Sequence, residues 1–271
     1  MGFLTNLKGI TEEVYNNLTV IMGMPGSGKT TLSGTYPKPM LYVSIGADGG
    51  SVVLKHYGDD NIKVLALERD NTAIYTKMLS LCDELLTTKH GFKSIVFDAY
   101  SSVEEDLVAF MEATKKKKLN LDERGTVGDM MLRLRDKIVN LSRQGGVEVV
   151  LVCHIKTKEA TDNITGEVTK NYIPKMTENN GIKLLERASN VMYCARKSVK
   201  TENGVGVKFV TFVGAHPNIN TKIRREGKPD DVTGYYVSDC TYEKIQKIRF
   251  GNADFACDVI EQTINNEGDF E

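Results

Sequence analysis

The chain has 271 residues, 41% of them hydrophobic and 26% charged, with a formal net charge of -1. This is the make-up of an ordinary globular protein, long enough for one large α/β domain with a sizeable core. The charge balance excludes binding driven by overall charge but leaves room for a local basic surface, and no apolar stretch approaches the roughly 20 residues of a membrane span.

Leu18 to Met22 is short, apolar and partly β-branched, so it reads as a strand buried on both faces. A glycine-rich segment follows, then a short helix expected to end near Tyr36-Pro37. Met40 to Ile45 is a second strand, closed by Gly46 and the Gly49-Gly50 pair, and Ile62 to Leu67 is a third. Thr72 to Thr88 carries Ile74, Met78, Leu81 and Leu85 at helical spacing, which suits a crossover helix.

Ser94 to Phe97 forms a fourth strand that ends on Asp98, and a helix is expected from Val103 towards Lys117. The polar stretch Asn120 to Thr126 reads as a connection, with another helix beginning near Gly128 and placing Met131, Leu134, Ile138 and Leu141 on one face. Gly145-Gly146 stops it, and Val147 to Cys153 is the most apolar strand. Strands alternating with crossover helices predict a mostly parallel sheet covered on both faces.

Beyond His154 the texture changes. Lys156 to Tyr172 contains Asp162-Asn163 and Thr165-Gly166, a polar excursion or hairpin. A short helix around Ile182 to Ala188 leads to a strand at Val191 to Ala195, and Val205 to Val213 is its hairpin partner through Glu202-Asn203-Gly204. These hairpins suggest an antiparallel extension of the sheet. The expected organisation is a segment 1–17, a domain 18–250 and a tail 251–271 whose polar end frays.

The glycine-rich segment, Gly23-Met24-Pro25-Gly26-Ser27-Gly28-Lys29-Thr30, satisfies G-x-x-x-x-G-K-[ST], with the strand before it and the helix after it that the motif requires. Gly23, Gly26 and Gly28 allow a tight turn that aims backbone N–H groups at phosphate oxygens, and the adjoining Thr31 completes the binding segment. Lys29 is expected to bridge the β and γ phosphates of a nucleoside triphosphate, read as ATP, and the Thr30 hydroxyl to ligate Mg²⁺.

The metal also needs a carboxylate at a neighbouring strand end, and Asp98 is the candidate. For the attacking water, Asp48 lies just beyond the second strand between turn glycines, with Glu68 at the end of the third strand as its competitor. His154 follows the most apolar strand, where it could sense the γ-phosphate or the water, although a lone histidine can equally be a satisfied structural residue. The five cysteines are scattered and never spaced C-x-x-C, which argues against a zinc site or a disulfide framework and for a reducing compartment. The first residues carry Glu12 and Glu13 without a long apolar run, so no secretory signal is read there, and Asn6 does not fit a myristoylation signal. The expected location is the cytoplasm, with no membrane partner.

The segments GMPGSGKT, MLYVSIGADGG, SIVFDAYSS, VEVVLVCHIKTKE and NTKIRREG give the chain a resemblance to the RecA-like P-loop ATPase core over roughly residues 18 to 250. In particular it resembles the AAA-type phage nucleotide-binding proteins related to recombinases, some of which are associated with single-strand annealing. The resemblance implies that Asp98 is the Walker B aspartate, that His154 is the polar residue at the strand end, and that Asp48 stands where the family usually has a catalytic glutamate. The shorter Asp48 side chain draws its carboxylate back by about one methylene, which makes slow or partner-dependent hydrolysis an expectation. Lys222-x-Arg224 resembles the K-x-R element that such ATPases insert into a neighbour's site, where its cations stabilise the transferring phosphoryl group; the alternative is a basic surface loop. The implied partners are further copies of the chain in a ring or filament, single-stranded DNA and a single-strand-binding protein.

For DNA, the Lys156 to Lys175 excursion offers four lysines and Tyr172 but also Glu159, Asp162 and Glu167. The run Lys115 to Lys118 reads either as a second basic patch or as a solvated helix end. Alternatives to a DNA-stimulated ATPase are a nucleotide-dependent scaffold or loader with weak turnover and a P-loop small-molecule kinase, although the region where a kinase lid would lie is not arginine-rich. No N-K-x-D run supports a guanine-specific GTPase.

Overall fold

The computed structural model describes residues 16–46, 60–144, 146–161, 168–201, 204–214, 219–223, 235–250 and 261–262. Six strands run parallel in the order β7 (Asn190–Thr201), β1 (Leu18–Gly23), β5 (Glu148–Thr161), β4 (Ser94–Asp98), β2 (Met40–Ile45) and β3 (Ile62–Leu67). Antiparallel strands β8 (Gly204–Phe212), β10 (Tyr235–Ser238) and β11 (Glu261–Gln262) extend the sheet beyond β7, as the hairpin signals predict.

Strands β1, β2 and β4 are buried at every position because both of their faces are covered. On one face Leu18, Val20, Met22, Val149 and Leu151 pack with α2 (Ile74–Thr87), α3 (Ser102–Lys115), α4 (Leu121–Ser142) and α5 (Glu178–Arg187), through residues such as Met78, Leu107, Leu134 and Leu184. On the other face Ile21, Val150, Val152 and Met192 meet Leu32 of α1 (Lys29–Ser33) and Ile245 and Ile248 of α6 (Tyr242–Phe250). Burial of this continuous apolar surface is the main force holding the layers together.

Four elements depart from the sequence reading. Helix α4 begins at Leu121 rather than near Gly128, because Asn120 and Glu123 form a reciprocal capping box: Glu123 N–H donates to Asn120 Oδ1 at 2.9 Å, and Asn120 N–H to Glu123 Oε2 at 2.9 Å. The Asp122-to-Thr126 stretch is therefore the solvated first turn of a helix, not a loop. Strand β5 does not stop at Cys153 but continues to Thr161, where it forms a hairpin with β6 (Val168–Pro174) outside the parallel sheet. Helix α6 and strand β10, which carry no strong periodicity, were not expected from the sequence.

Candidate functional site

Strand β1 ends at Gly23, in register with His154 on β5 and Cys194 on β7. A Cβ on Gly23 would overlap the Cys194 carbonyl oxygen and come 2.5 Å from Ser27 Oγ, so only glycine lets the loop fold back over the strand end. The chain then turns through Met24 to Gly28 into α1, with Gly28 left-handed at φ 89°. Helix α1 has only five residues, so an anion here would be held by loop amides more than by a helix dipole.

Two polar groups are buried inside this loop. Lys29 is 5% exposed, and its ammonium donates to the Met24 carbonyl oxygen at 2.7 Å, which holds the charge over the loop. Ser27 is 4% exposed, and its hydroxyl oxygen has no hydrogen-bond partner among the described residues. A buried hydroxyl left unpaired costs free energy that a ligand can return. An anion with several acceptor oxygens fits both groups.

Asp98 ends β4, which is separated from β1 by β5, a gap of about 10 Å at ordinary strand spacing. Thr30 closes the gap, its hydroxyl donating to Asp98 Oδ2 at 2.9 Å. The Tyr42 hydroxyl, from the neighbouring β2, reaches the same carboxylate oxygen. A hydroxyl and a carboxylate brought together beside a buried ammonium form the hard oxygen-donor pair that suits Mg²⁺.

His154 lies at the carboxyl edge of the parallel sheet, between the loop strand and the strand of Asp98, and its backbone N–H donates to Ser101 Oγ at 2.9 Å. Thr31 is exposed on α1, as are Met24, Pro25 and Gly26 in the loop. Cys153 and Cys194 lie nearby, but burial pushes their thiols up to about 12 and about 11, so neither is a thiolate nucleophile at neutral pH.

The remaining candidates divide. Asp48 and Arg224 lie outside the described residues. Glu68 is exposed just past edge strand β3, four strands from β1 and so about 19 Å away in the sheet. Lys222 lies on β9 (Lys222–Ile223), opposite Val191, whose partner on β1 is Val20. It therefore sits at the amino end of the parallel strands, where its ammonium donates to the Glu186 carbonyl at 3.4 Å, and it does not join the loop of its own chain.

The lysine clusters are partly paired with carboxylates. Lys115 and Lys117 pair with Glu123 at 2.8 and 3.2 Å, and Lys118 pairs with Glu112 at 2.9 Å. At the hairpin base Lys158 pairs with Glu178 at 2.5 Å and Lys175 with Glu105 at 3.1 Å.

Tyr42 escaped the sequence reading as a site residue, because it sits within an apolar strand. Ser27 belongs to the binding segment read from the sequence, but its burial without a partner is visible only in the structure. Two further residues approach the loop from the side opposite Asp98: Phe209 of β8 near Gly28, and Arg196 of β7 near Gly26. No local motif marks either one.

Residues 16–225 match the family described as AAA domain, and the chain belongs to that family. An AAA-type ATPase domain is therefore present, with the nucleotide binding and hydrolysis that define it at family level. No curated protein matches the chain. Among the described residues, no helix is long and apolar enough to cross a membrane.

Proposed function

We propose that this domain binds ATP with Mg²⁺ in the Gly23–Thr30 loop and hydrolyses it in a RecA-like site shared between subunits, acting with single-stranded DNA in phage recombination, annealing or replication. The observation that carries the reading is the 2.9 Å contact between the Thr30 hydroxyl and Asp98, made beside the buried Lys29 ammonium. Thr30 and Asp98 would hold Mg²⁺, which would neutralise charge on the phosphate oxygens.

Lys29 exchanges the Met24 carbonyl for the β and γ phosphates, and Ser27 gains an acceptor for its hydroxyl. His154, between the loop strand and Asp98, senses the terminal phosphate or the attacking water, and Asp48 orients that water. Lys222 lies far from its own loop, which supports a role for Lys222 and Arg224 in a neighbour's site, where their cations stabilise the transferring phosphoryl group. Such an assembly works in the cytoplasm.

ATP hydrolysis measured with and without single-stranded DNA, together with the solution mass, tests this reading. The expected result is a DNA-stimulated rate in an oligomer, and an Arg224→Ala variant that keeps ATP binding while losing turnover. A monomer that hydrolyses at one rate with or without DNA would remove both the DNA and the shared-site parts.

A further inference from the structure

The geometry points to a nucleoside-recognition surface made by Phe209 and Arg196 on the flank of the phosphate loop away from Asp98; the inference rests on reading that loop as a nucleotide site.

Arg196 and Phe209 are direct partners across the β7–β8 ladder, so their side chains project from the same face of the sheet. Cys194, two residues before Arg196 and hence on that face, packs in the same layer as Leu32 of α1. The pair therefore emerges on the side of the sheet where α1 and the loop lie, just past the register at which Cys194 meets Gly23.

Both residues approach the loop. A Cβ built on Gly28 would stand 3.2 Å from Phe209 Cδ1, and one built on Gly26 would stand 3.9 Å from Arg196 Nη1. The Phe209 backbone is anchored, its carbonyl accepting the Asp239 N–H at 3.0 Å. Yet Phe209 remains 44% exposed, while the next residue, Val210, is buried. A large apolar ring lodged against a phosphate loop and open on one side is a stacking surface for a base.

The direction of the ligand agrees. A triphosphate whose terminal phosphate faces Thr30 and Asp98 extends its nucleoside end to the other flank, where β7 and β8 stand. There Phe209 meets the base through its ring face. The Arg196 guanidinium, a planar fork of N–H donors, meets phosphate oxygens near Gly26.

Calorimetric titration with ATP and with inorganic tripolyphosphate separates the two contributions. Phe209→Ala is expected to weaken ATP about tenfold and leave tripolyphosphate unchanged. Phe209→Leu, which keeps apolar packing on Gly28, should lose ATP affinity likewise, and Phe209→Tyr should restore it. Arg196→Ala should weaken both ligands. Full ATP affinity in Phe209→Leu, or parallel loss of ATP and tripolyphosphate in that variant, would overturn the assignment and leave the ring as a prop for the loop. Full tripolyphosphate affinity in Arg196→Ala would overturn the role of Arg196. A wild-type protein that binds neither ligand, or whose binding survives Lys29→Ala, would instead overturn the reading of the loop itself.

Discussion

The two ends of the parallel sheet use polar side chains in opposite ways. At the amino end they bind one another and the backbone. Asn16 accepts the Leu18 N–H at 2.7 Å and the Ser142 hydroxyl at 2.8 Å, and donates to the Arg187 carbonyl at 2.7 Å. Glu148 accepts the Tyr242 hydroxyl at 3.0 Å with Arg249 3.7 Å away, which fastens α6 under the sheet. At the carboxyl end Ser27, Lys29, Thr30 and Asp98 converge on a loop instead of on a neighbouring element. Polar groups at the first end hold the fold; those at the second are arranged around a site for something else. The same sheet supports both because each strand contributes one end to each role.

Substitutions should separate the ends. The largest effect belongs to Asp98→Asn, expected to lower ATP turnover at least a hundredfold, to abolish its Mg²⁺ dependence, and to leave the thermal midpoint close to wild type. A large fall in stability with turnover retained would assign Asp98 to the fold.

Asn16→Ala should do the reverse. It removes three hydrogen bonds, two of which tie the start of β1 to α4 and α5, and is expected to cost about 1–3 kcal/mol in denaturant unfolding with ATP affinity unchanged. A weakened ATP affinity would couple the two ends.

The smallest effect comes from the exposed cap of α4. Hydrogen bonding from the Lys115 ammonium, with the Asn120 N–H and Lys117, lowers the Glu123 carboxyl to about 2. A carboxyl lowered in the folded state contributes stability above its unfolded value of about 4.5 and loses it as pH falls towards 2. Glu123→Gln should therefore melt slightly below wild type at pH 7, with the difference shrinking as pH falls below about 4.5. A constant gap across that range would trace the effect to packing, not ionisation.

The legibility of the sequence followed the same division. Strands β1, β2, β4 and the first part of β5 are buried on both faces, so their apolar runs stand out, and the residues that close those runs, Gly23, Asp98 and His154, are located automatically. The phosphate loop was legible because its backbone demands glycine at fixed places. Helix α4 was misread at its start because the capping residues Asn120 and Glu123 are polar and look like a connection until their mutual hydrogen bonds are seen. Tyr42, Arg196 and Phe209 could not be found by spacing, since each meets the site only through strand neighbours distant in the chain. Lys222 shows the converse: its motif is visible, but its position beside Val191 separates it from the loop of its own chain.

Binding of ATP with Mg²⁺ to wild type and to Lys29→Ala, followed by titration calorimetry, tests the central claim most directly. The account predicts saturable one-site binding to wild type, and a loss of affinity in a Lys29→Ala variant that keeps its fold. Equal affinities in the two proteins, or no binding to the wild type, would contradict it.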